Sequence, residues 1–247
     1  MPLKRIFIQI QTATFYGLLH YTNYLTFTRT KHFPPPSYHE ISTCYILNFN
    51  YTTIFDRLIS CLYPHPSYTG PIPIHAHVHG TCFSDMIIGV DNLCQVANPG
   101  LFTSPRQRRP LVKPLLNQQS DRRPDEFANY CIQCSSEICI FGMSLGETDG
   151  VWWRLIGKWM TGSSHRHLVI FSQTRQPGPP FLEDRLDRKD ALLDRFLSLS
   201  EIPPGHRRSC RSRIHVVITS NFFDLKPAFL SGRYPFPFQL SPPPKTD

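Results

Sequence analysis

Short apolar runs of strand length alternate with segments of helical spacing along most of this chain. Strand-like runs lie at residues 45–49, 72–78, 86–90, 137–141, 167–172 and 214–219. Helix-like segments lie at 52–63, at 125–135, after Ser144 and at 183–199. This alternation is typical of an α/β fold with a mostly parallel sheet flanked by helices, which binds ligands at the carboxyl ends of its strands.

The length of 247 residues is enough for one domain with a sizeable core. The 24 prolines exclude long uninterrupted helices. We assign no regular element to residues 1–40, an α/β domain to 41–230 and a proline-rich tail to 231–247.

The charge balance indicates which kinds of partner the chain favours, and the cysteine content indicates its cellular compartment. Lys and Arg exceed Asp and Glu by 26 to 18, which favours polyanionic partners. The basic clusters at 106–123 and 207–213 are expected to be solvated loops that offer sequence-independent phosphate contacts at most. No apolar run approaches the length of a membrane span, and the eight cysteines lack the density of a disulfide scaffold. We therefore expect a cytoplasmic protein with reduced thiols and no membrane partner.

Polar motifs follow three of the strand-like runs, where an α/β sheet places its site. Asn50 has a carboxamide that suits a ribose hydroxyl or a water, and the alternative is a helix cap. His79 precedes Gly80 and can take a proton near neutral pH, and the alternative is a packed histidine. Gly142 and Ser144 are predicted to begin a helix whose N-terminus holds an anion, with Ser144 and Glu147 spaced as a capping box.

A metal site is not expected. His75, His77 and His79 alternate on one strand and span about 13 Å, too far for one ion to bind all three. Two adjacent histidines could bind an ion only with further ligands from Asp85, Asp91 or Asp149, and nothing in the spacing requires this. Cys131 and Cys134 form a lone Cys-x-x-Cys, which we interpret as buried thiols on a short helix.

Taken in order, these motifs resemble the AbiH family of bacterial abortive-infection proteins, which act in phage defence. The resemblance rests on LNFNYT at 47–52, VHG at 78–80, IIGVD at 87–91, FGMSLGETD at 141–149 and ITSNFFDL at 218–225. A more distant similarity is to sirtuin-like NAD-binding domains. The family's glycine-rich opening strand has no counterpart before Cys44, and Met143 stands where the family has a histidine. We therefore expect a Rossmann-like sheet that lacks the family's glycine-rich first strand.

The resemblance implies a function and a role for each motif residue. It implies hydrolysis of NAD, or of a related nucleotide, in the bacterial cytoplasm. Asn50 would hold the nicotinamide ribose or the attacking water, and His79 would act as general base. Gly142 and Ser144 would receive the ribose and phosphates, and Asp149 would bind a ribose hydroxyl or orient the turn. The alternatives are a module that binds nucleic acid or protein without catalysis, and an inactive truncated family member.

Overall fold

The computed structural model of the chain describes residues 3–8, 41–53, 56, 74–84, 86–117, 124–173 and 182–219. Within these residues the protein is a mixed α/β structure with one parallel sheet. The strands of the sheet are β1 (Leu3–Ile8), β2 (Ile41–Asn48), β3 (Ile74–His77), β4 (Glu137–Phe141), β5 (His167–Gln173) and β6 (Ile214–Thr219).

The strands lie in the order β3-β2-β1-β4-β5-β6, and every neighbouring pair is parallel. The chain therefore builds outward in one direction from β1 to β3 and in the other direction from β4 to β6. The reversal lies between β1 and β4, which pair from Arg5 with Glu137 to Ile8 with Ile140. A crevice at the carboxyl ends of strands is the usual ligand site at such a reversal, and the order is compatible with a Rossmann-like fold.

Helices of very different length connect the strands. Their bounds are α1 (Pro105–Arg108), α2 (Lys113–Asn117), α3 (Pro124–Cys134), α4 (Gly150–Thr161), α5 (Leu182–Leu199) and α6 (Pro204–Arg211). Turns of 3-10 helix occur at Leu93–Gln95, Pro99–Leu101 and Glu147–Asp149. None of the helices in the described ranges has both the length and the apolar character needed to cross a membrane.

The core lies between one face of the sheet and helices α3 to α6. Leu47, Ile138, Ile140, Leu168 and Ile170 alternate along their strands and point to this face. Helix α4 packs against them because its buried side chains recur at helical spacing, and these are Trp152, Trp153, Ile156, Trp159 and Met160.

The opposite face of the sheet is apolar toward its carboxyl edge, whereas Glu137, His167 and His215 lie toward its amino end. Phe141 and Phe171 are paired across β4 and β5, and their rings stack with centroids 4.0 Å apart. Every residue of β4 is buried, as expected for a strand inside a parallel sheet. The apolar run at 138–141, which follows the buried Glu137, is the sequence signature of this environment.

Most of the predicted elements are confirmed. The strands expected at 45–49, 72–78, 137–141, 167–172 and 214–219 correspond to β2, β3, β4, β5 and β6. The helices expected at 125–135 and 183–199 correspond to α3 and α5. The predicted helix at 52–63 falls largely outside the described residues, and the tail at 231–247 falls wholly outside them.

The sheet does have a first strand, because Leu3–Ile8 forms β1 between β2 and β4, so the expected loss of a strand is wrong. This strand contains no glycine. Its apolar run, Ile6 to Ile8, is short, and the alternating Gln9 and Gln11 that follow do not mark where a strand would end. Only its pairing with both β2 and β4 makes it recognisable as a strand.

Three further expectations were wrong. Residues 86–90 form no strand and contribute only an isolated bridge between Val90 and Val112. The basic clusters at 106–123 and 207–213, expected to be solvated loops, overlap helices: α1 and α2 lie in the first, and the arginines at 207, 208 and 211 lie on α6. Ser144 does not cap a helix, since α4 begins at Gly150 after a 3-10 turn. A capping box does form between Ser104 and Gln107.

Candidate functional site

The turns after β2 and β3 lie side by side because these two strands are parallel neighbours. Asn48 and His77, the last residues of the two strands, are in register. The pairing continues past the strand ends, where the Val78 N–H donates to the Asn48 carbonyl at 2.9 Å. Residues 49–51 and 78–80 therefore share the carboxyl edge of the sheet.

His79 is the most enclosed polar side chain of these turns. It is 4% exposed, and its ring meets the Phe49 ring edge to face at a centroid distance of 5.1 Å. The Tyr51 ring lies 6.4 Å away. The backbone turns sharply after His79 because Gly80 takes a φ of 70°, which favours glycine. Neither ring nitrogen of His79 makes a hydrogen bond of good geometry among the described residues, although Asp149 Oδ1 lies 3.4 Å from Nε2.

Asp149 is the acidic side chain that approaches this histidine. Its Oδ1 lies 3.4 Å from His79 Nε2, within ion-pair distance, and 2.8 Å from Lys113 Nζ. Burial alone would raise the pKa of Asp149, but the contacts with His79 and Lys113 outweigh it and hold the pKa below its usual 3.8. The site therefore contains an ionised carboxylate between an imidazole and an ammonium group.

The approach of Asp149 to His79 depends on a long turn. In the sheet, β3 and β4 are separated by β2 and β1, which corresponds to about 14 Å at the usual strand spacing. The turn at 142–149 must therefore extend back over the carboxyl ends of β1 and β2. It leaves β4 at Gly142, whose φ of 59° again favours glycine.

Hydrogen bonds from three separate elements hold this turn. Trp153 Nε1 on α4 donates to the Gly146 carbonyl at 2.7 Å. Arg195 Nε on α5 donates to the Leu145 carbonyl at 3.1 Å, and Gln95 Nε2 donates to the Glu147 carbonyl at 2.8 Å. Asp149 is thus presented by a braced backbone.

The remaining residues predicted for the site lie around this pair. Gly142 and Ser144 precede Asp149 on the same turn, with Ser144 exposed and its carbonyl accepting from the Gly146 N–H at 2.7 Å. Asn50 lies on the turn after β2, where its N–H donates to Asn48 Oδ1 at 2.9 Å. Its carbonyl is 3.0 Å from His77 Nδ1. The structure therefore brings His79 and Asp149 into direct contact and places Asn50 on the neighbouring turn.

Three polar residues at this edge were not predicted. Lys113 lies in the basic region expected to be a solvated loop, and nothing in the surrounding sequence indicates that it belongs to the site. Asn48 is 1% exposed, and its Nδ2 has no hydrogen-bond partner within the described ranges. Tyr51 donates its hydroxyl to the Ile87 carbonyl at 3.0 Å, and burial first, then the charge of Asp149, raises its pKa. Asn48 and Tyr51 flank Asn50 in the sequence, so the motif pointed to their neighbourhood.

The histidines of β3 do not extend this site. His75 Nε2 lies 2.8 Å from Asp56 Oδ1, and His77 Nε2 lies 2.9 Å from Asp56 Oδ2. No group of three His, Cys, Asp or Glu side chains suited to a metal ion occurs in the part of the chain that the structure describes. On α3, Cys131 is fully buried, and burial raises its pKa to about 12.

The second basic cluster forms a groove elsewhere on the molecule. A cavity of about 450 Å³ between α5 and α6 is lined by Asp194, Leu197, Ser198, Arg207, Arg208 and Arg211. Arg211 is bound to Asp190 and Asp194 of α5, and Arg207 Nε donates to the Ile202 carbonyl at 3.0 Å. Much of the positive charge in this groove is therefore engaged within the protein.

Comparison of the chain with protein-family models, with curated proteins and with solved structures found no match. The interpretation of the site therefore rests on its own geometry.

Proposed function

We propose that this chain is an AbiH-like phage-defence protein of the bacterial cytoplasm that hydrolyses NAD or a related nucleotide. The observation that carries the proposal is the contact between buried His79 and the ionised Asp149 at the carboxyl edge of the sheet. A histidine oriented by a carboxylate is a common general base. The strand order and its reversal beside β1 support a Rossmann-like ligand crevice at the same edge.

In the proposed reaction, water attacks the ribose carbon that carries nicotinamide. A new carbon–oxygen bond forms as the carbon–nitrogen bond breaks. The nicotinamide nitrogen keeps the bonding electron pair and leaves as a neutral ring. His79 accepts the proton that the water loses, and the negative charge of Asp149 stabilises the imidazolium that results.

The other residues of the edge bind and orient the substrate in this proposal. Asn50 holds the ribose or the attacking water through its carboxamide. Gly142 and Ser144, on the turn that leads to Asp149, receive the ribose and the phosphates. Because His79 is only 4% exposed, the surrounding turns open locally when substrate enters.

The direct test is to incubate the purified protein with NAD and measure nicotinamide release. His79→Ala is expected to abolish release while far-UV circular dichroism shows an unchanged fold. His206→Ala is the matched control, because His206 is exposed on α6. The control variant is expected to keep full activity.

Equal release by wild type and His79→Ala would contradict the assignment of the base. Absence of release from the intact protein, together with salt-sensitive binding to nucleic acid, would instead support the non-enzymatic alternative.

A further inference from the structure

Lys113 is a buried cation in contact with the candidate site. Its side chain is 10% exposed, and its Nζ lies 2.8 Å from Asp149 Oδ1 and 3.3 Å from the Thr148 carbonyl. A buried ammonium group is costly unless it is paired and hydrogen-bonded, and here both partners belong to the turn that carries Asp149. The lysine is therefore bound to this turn through two consecutive residues.

A single carboxylate oxygen connects Lys113 with His79. Asp149 Oδ1 is 2.8 Å from Lys113 Nζ and 3.4 Å from His79 Nε2. The charge of Asp149 also contributes to the raised pKa of Tyr51 on the turn after β2. Of the two contacts, the one from Lys113 is the shorter. Loss of its charge would leave the half-buried carboxylate with only the imidazole beside it.

The backbone of Lys113 is held in place by a close approach of two segments. The Val90 N–H donates to the Leu111 carbonyl at 2.8 Å, and the Lys113 N–H donates to the Val90 carbonyl at 2.9 Å. Gly89 permits this approach, because a Cβ at this position would lie 2.4 Å from the Leu111 oxygen. The bridge therefore fixes where the lysine side chain begins.

The segment that contains Val90 is also attached to the turn at 142–149 and to α4. Arg154 Nη2 on α4 lies 2.8 Å from Asp91 Oδ2, and Gln95 Nε2 donates to the Glu147 carbonyl. The region 86–117 is thus attached on both sides of Asp149.

We propose that Lys113 is a positioning residue of the candidate site, delivered by the region 86–117 to hold the Asp149 carboxylate ionised and fixed against His79. Its role as an aid to catalysis rests on the proposed function. Its effect on Asp149 can be measured without any substrate.

The substrate-free test is a carboxyl titration by NMR with carbon-13-labelled aspartate, in which Asp149→Asn assigns the signal. Lys113→Met is expected to move the protonation of Asp149 to higher pH than in wild type, because only the contact with His79 would then oppose the effect of burial. Lys113→Arg keeps the charge and is expected to restore the wild-type titration. Identical titration of wild type and Lys113→Met would overturn the proposal.

Lys113→Gln is the second neutral variant, needed in case the methionine variant fails to fold. Its amide can still donate to the Thr148 carbonyl, and circular dichroism identifies which variants are folded. A folded Lys113→Gln protein is expected to shift the Asp149 titration in the same direction. An unshifted titration in this variant would equally count against the proposal.

The activity assay separates this proposal from the proposed function. Nicotinamide release by Lys113→Met is expected to show a kcat lower by on the order of 10- to 100-fold, with a much smaller change in KM, and Lys113→Arg is expected to recover most of the loss. If wild type releases no nicotinamide, the hydrolase proposal fails. The carboxyl titration still decides whether Lys113 controls Asp149.

A substitution at Gly89 tests whether the backbone contact between Val90 and residues 111–113 places Lys113 next to Asp149. Gly89→Ala is expected to push the Leu111 carbonyl away and to shift the Asp149 titration in the same direction as Lys113→Met. Gly100→Ala is the control, because a Cβ at Gly100 meets no atom within 4 Å among the described residues. A folded Gly89→Ala protein with the wild-type titration of Asp149 would show that the backbone contact at Val90 does not position Lys113.

Discussion

The Nε2 atom of His79 lies 3.4 Å from the Oδ1 atom of Asp149, although the strands that precede these residues are separated by two others in the sheet. The contact exists because the turn after β4 extends back over the carboxyl ends of β1 and β2. Anything that loosens this turn should therefore affect His79, even where it leaves the sheet intact.

Replacing Asp149 should change how stability depends on pH. The pKa of Asp149 is lowered in the folded protein, so its carboxylate contributes stability above the usual value of 3.8, and this contribution is lost as the pH falls through the folded-state pKa. Asp149→Asn also leaves Lys113 buried without its anion, at a cost of about 2–3 kcal/mol.

Urea unfolding from pH 7 down to pH 3 measures this effect. We expect the wild type to be more stable than Asp149→Asn near neutral pH, and the difference to shrink below about pH 4. A constant difference between the two proteins across this range would contradict the assigned direction of the pKa.

Two buried tryptophans allow a matched test of the turn that carries Asp149. Trp153 Nε1 donates to the Gly146 carbonyl at 2.7 Å, and Trp159 Nε1 donates to the Ser135 carbonyl at 3.0 Å, while both side chains are fully buried. Replacement of either by Phe removes volume and leaves a carbonyl without its donor, which should cost about 2–4 kcal/mol.

Only Trp153→Phe removes a hydrogen bond to the turn at 142–149, which carries Asp149. Under conditions where both variants are folded, we expect Trp153→Phe to lose more nicotinamide release than Trp159→Phe. Equal losses would show that the Gly146 hydrogen bond does not position Asp149.

Helix α4 passes close to the end of α5 at Gly157. A Cβ there would lie 2.4 Å from the Ser200 carbonyl oxygen, whereas a Cβ at Gly205 on α6 meets nothing within 4 Å in the described part of the chain. Gly157→Ala should destabilise the protein by about 1–3 kcal/mol despite its better helix propensity. Gly205→Ala should be neutral or stabilise it by up to about 1 kcal/mol. Thermal unfolding of both variants checks the pair, and a stabilising Gly157→Ala would contradict the close approach.

The ion pairs of Arg154 and Arg211 differ in burial and should therefore differ in their contribution to the free energy of unfolding. Arg154 binds Asp91, whose side chain is 2% exposed, while Arg211 binds the exposed Asp190 and Asp194. Arg154→Met should cost about 2–4 kcal/mol because it leaves a buried carboxylate without its cation. Arg211→Met should cost less than about 1 kcal/mol. Urea unfolding at neutral pH measures both, and similar losses would argue against this distinction.

Local sequence patterns predicted most of the regular structure because each such element shows its environment in its own residues. The run at 138–141 is apolar throughout, and it lies in a strand that is buried on both faces. The spacing of Trp152, Ile156 and Trp159 indicated a helix with one apolar face. The start of that helix was misplaced because a serine with a glutamate three residues later does not by itself reveal a 3-10 turn between the pattern and Gly150.

Patterns of this kind indicate which turns carry polar groups, and they identified His79, Asn50 and the 142–149 motif. They carry no information about which turns meet, because contacts across a sheet depend on strand order and on the path of each connection. β1 is recognised as the central strand only through its pairing with β2 and β4. Lys113 enters the site only through the backbone bridge at Val90, a contact between distant segments that no local periodicity encodes.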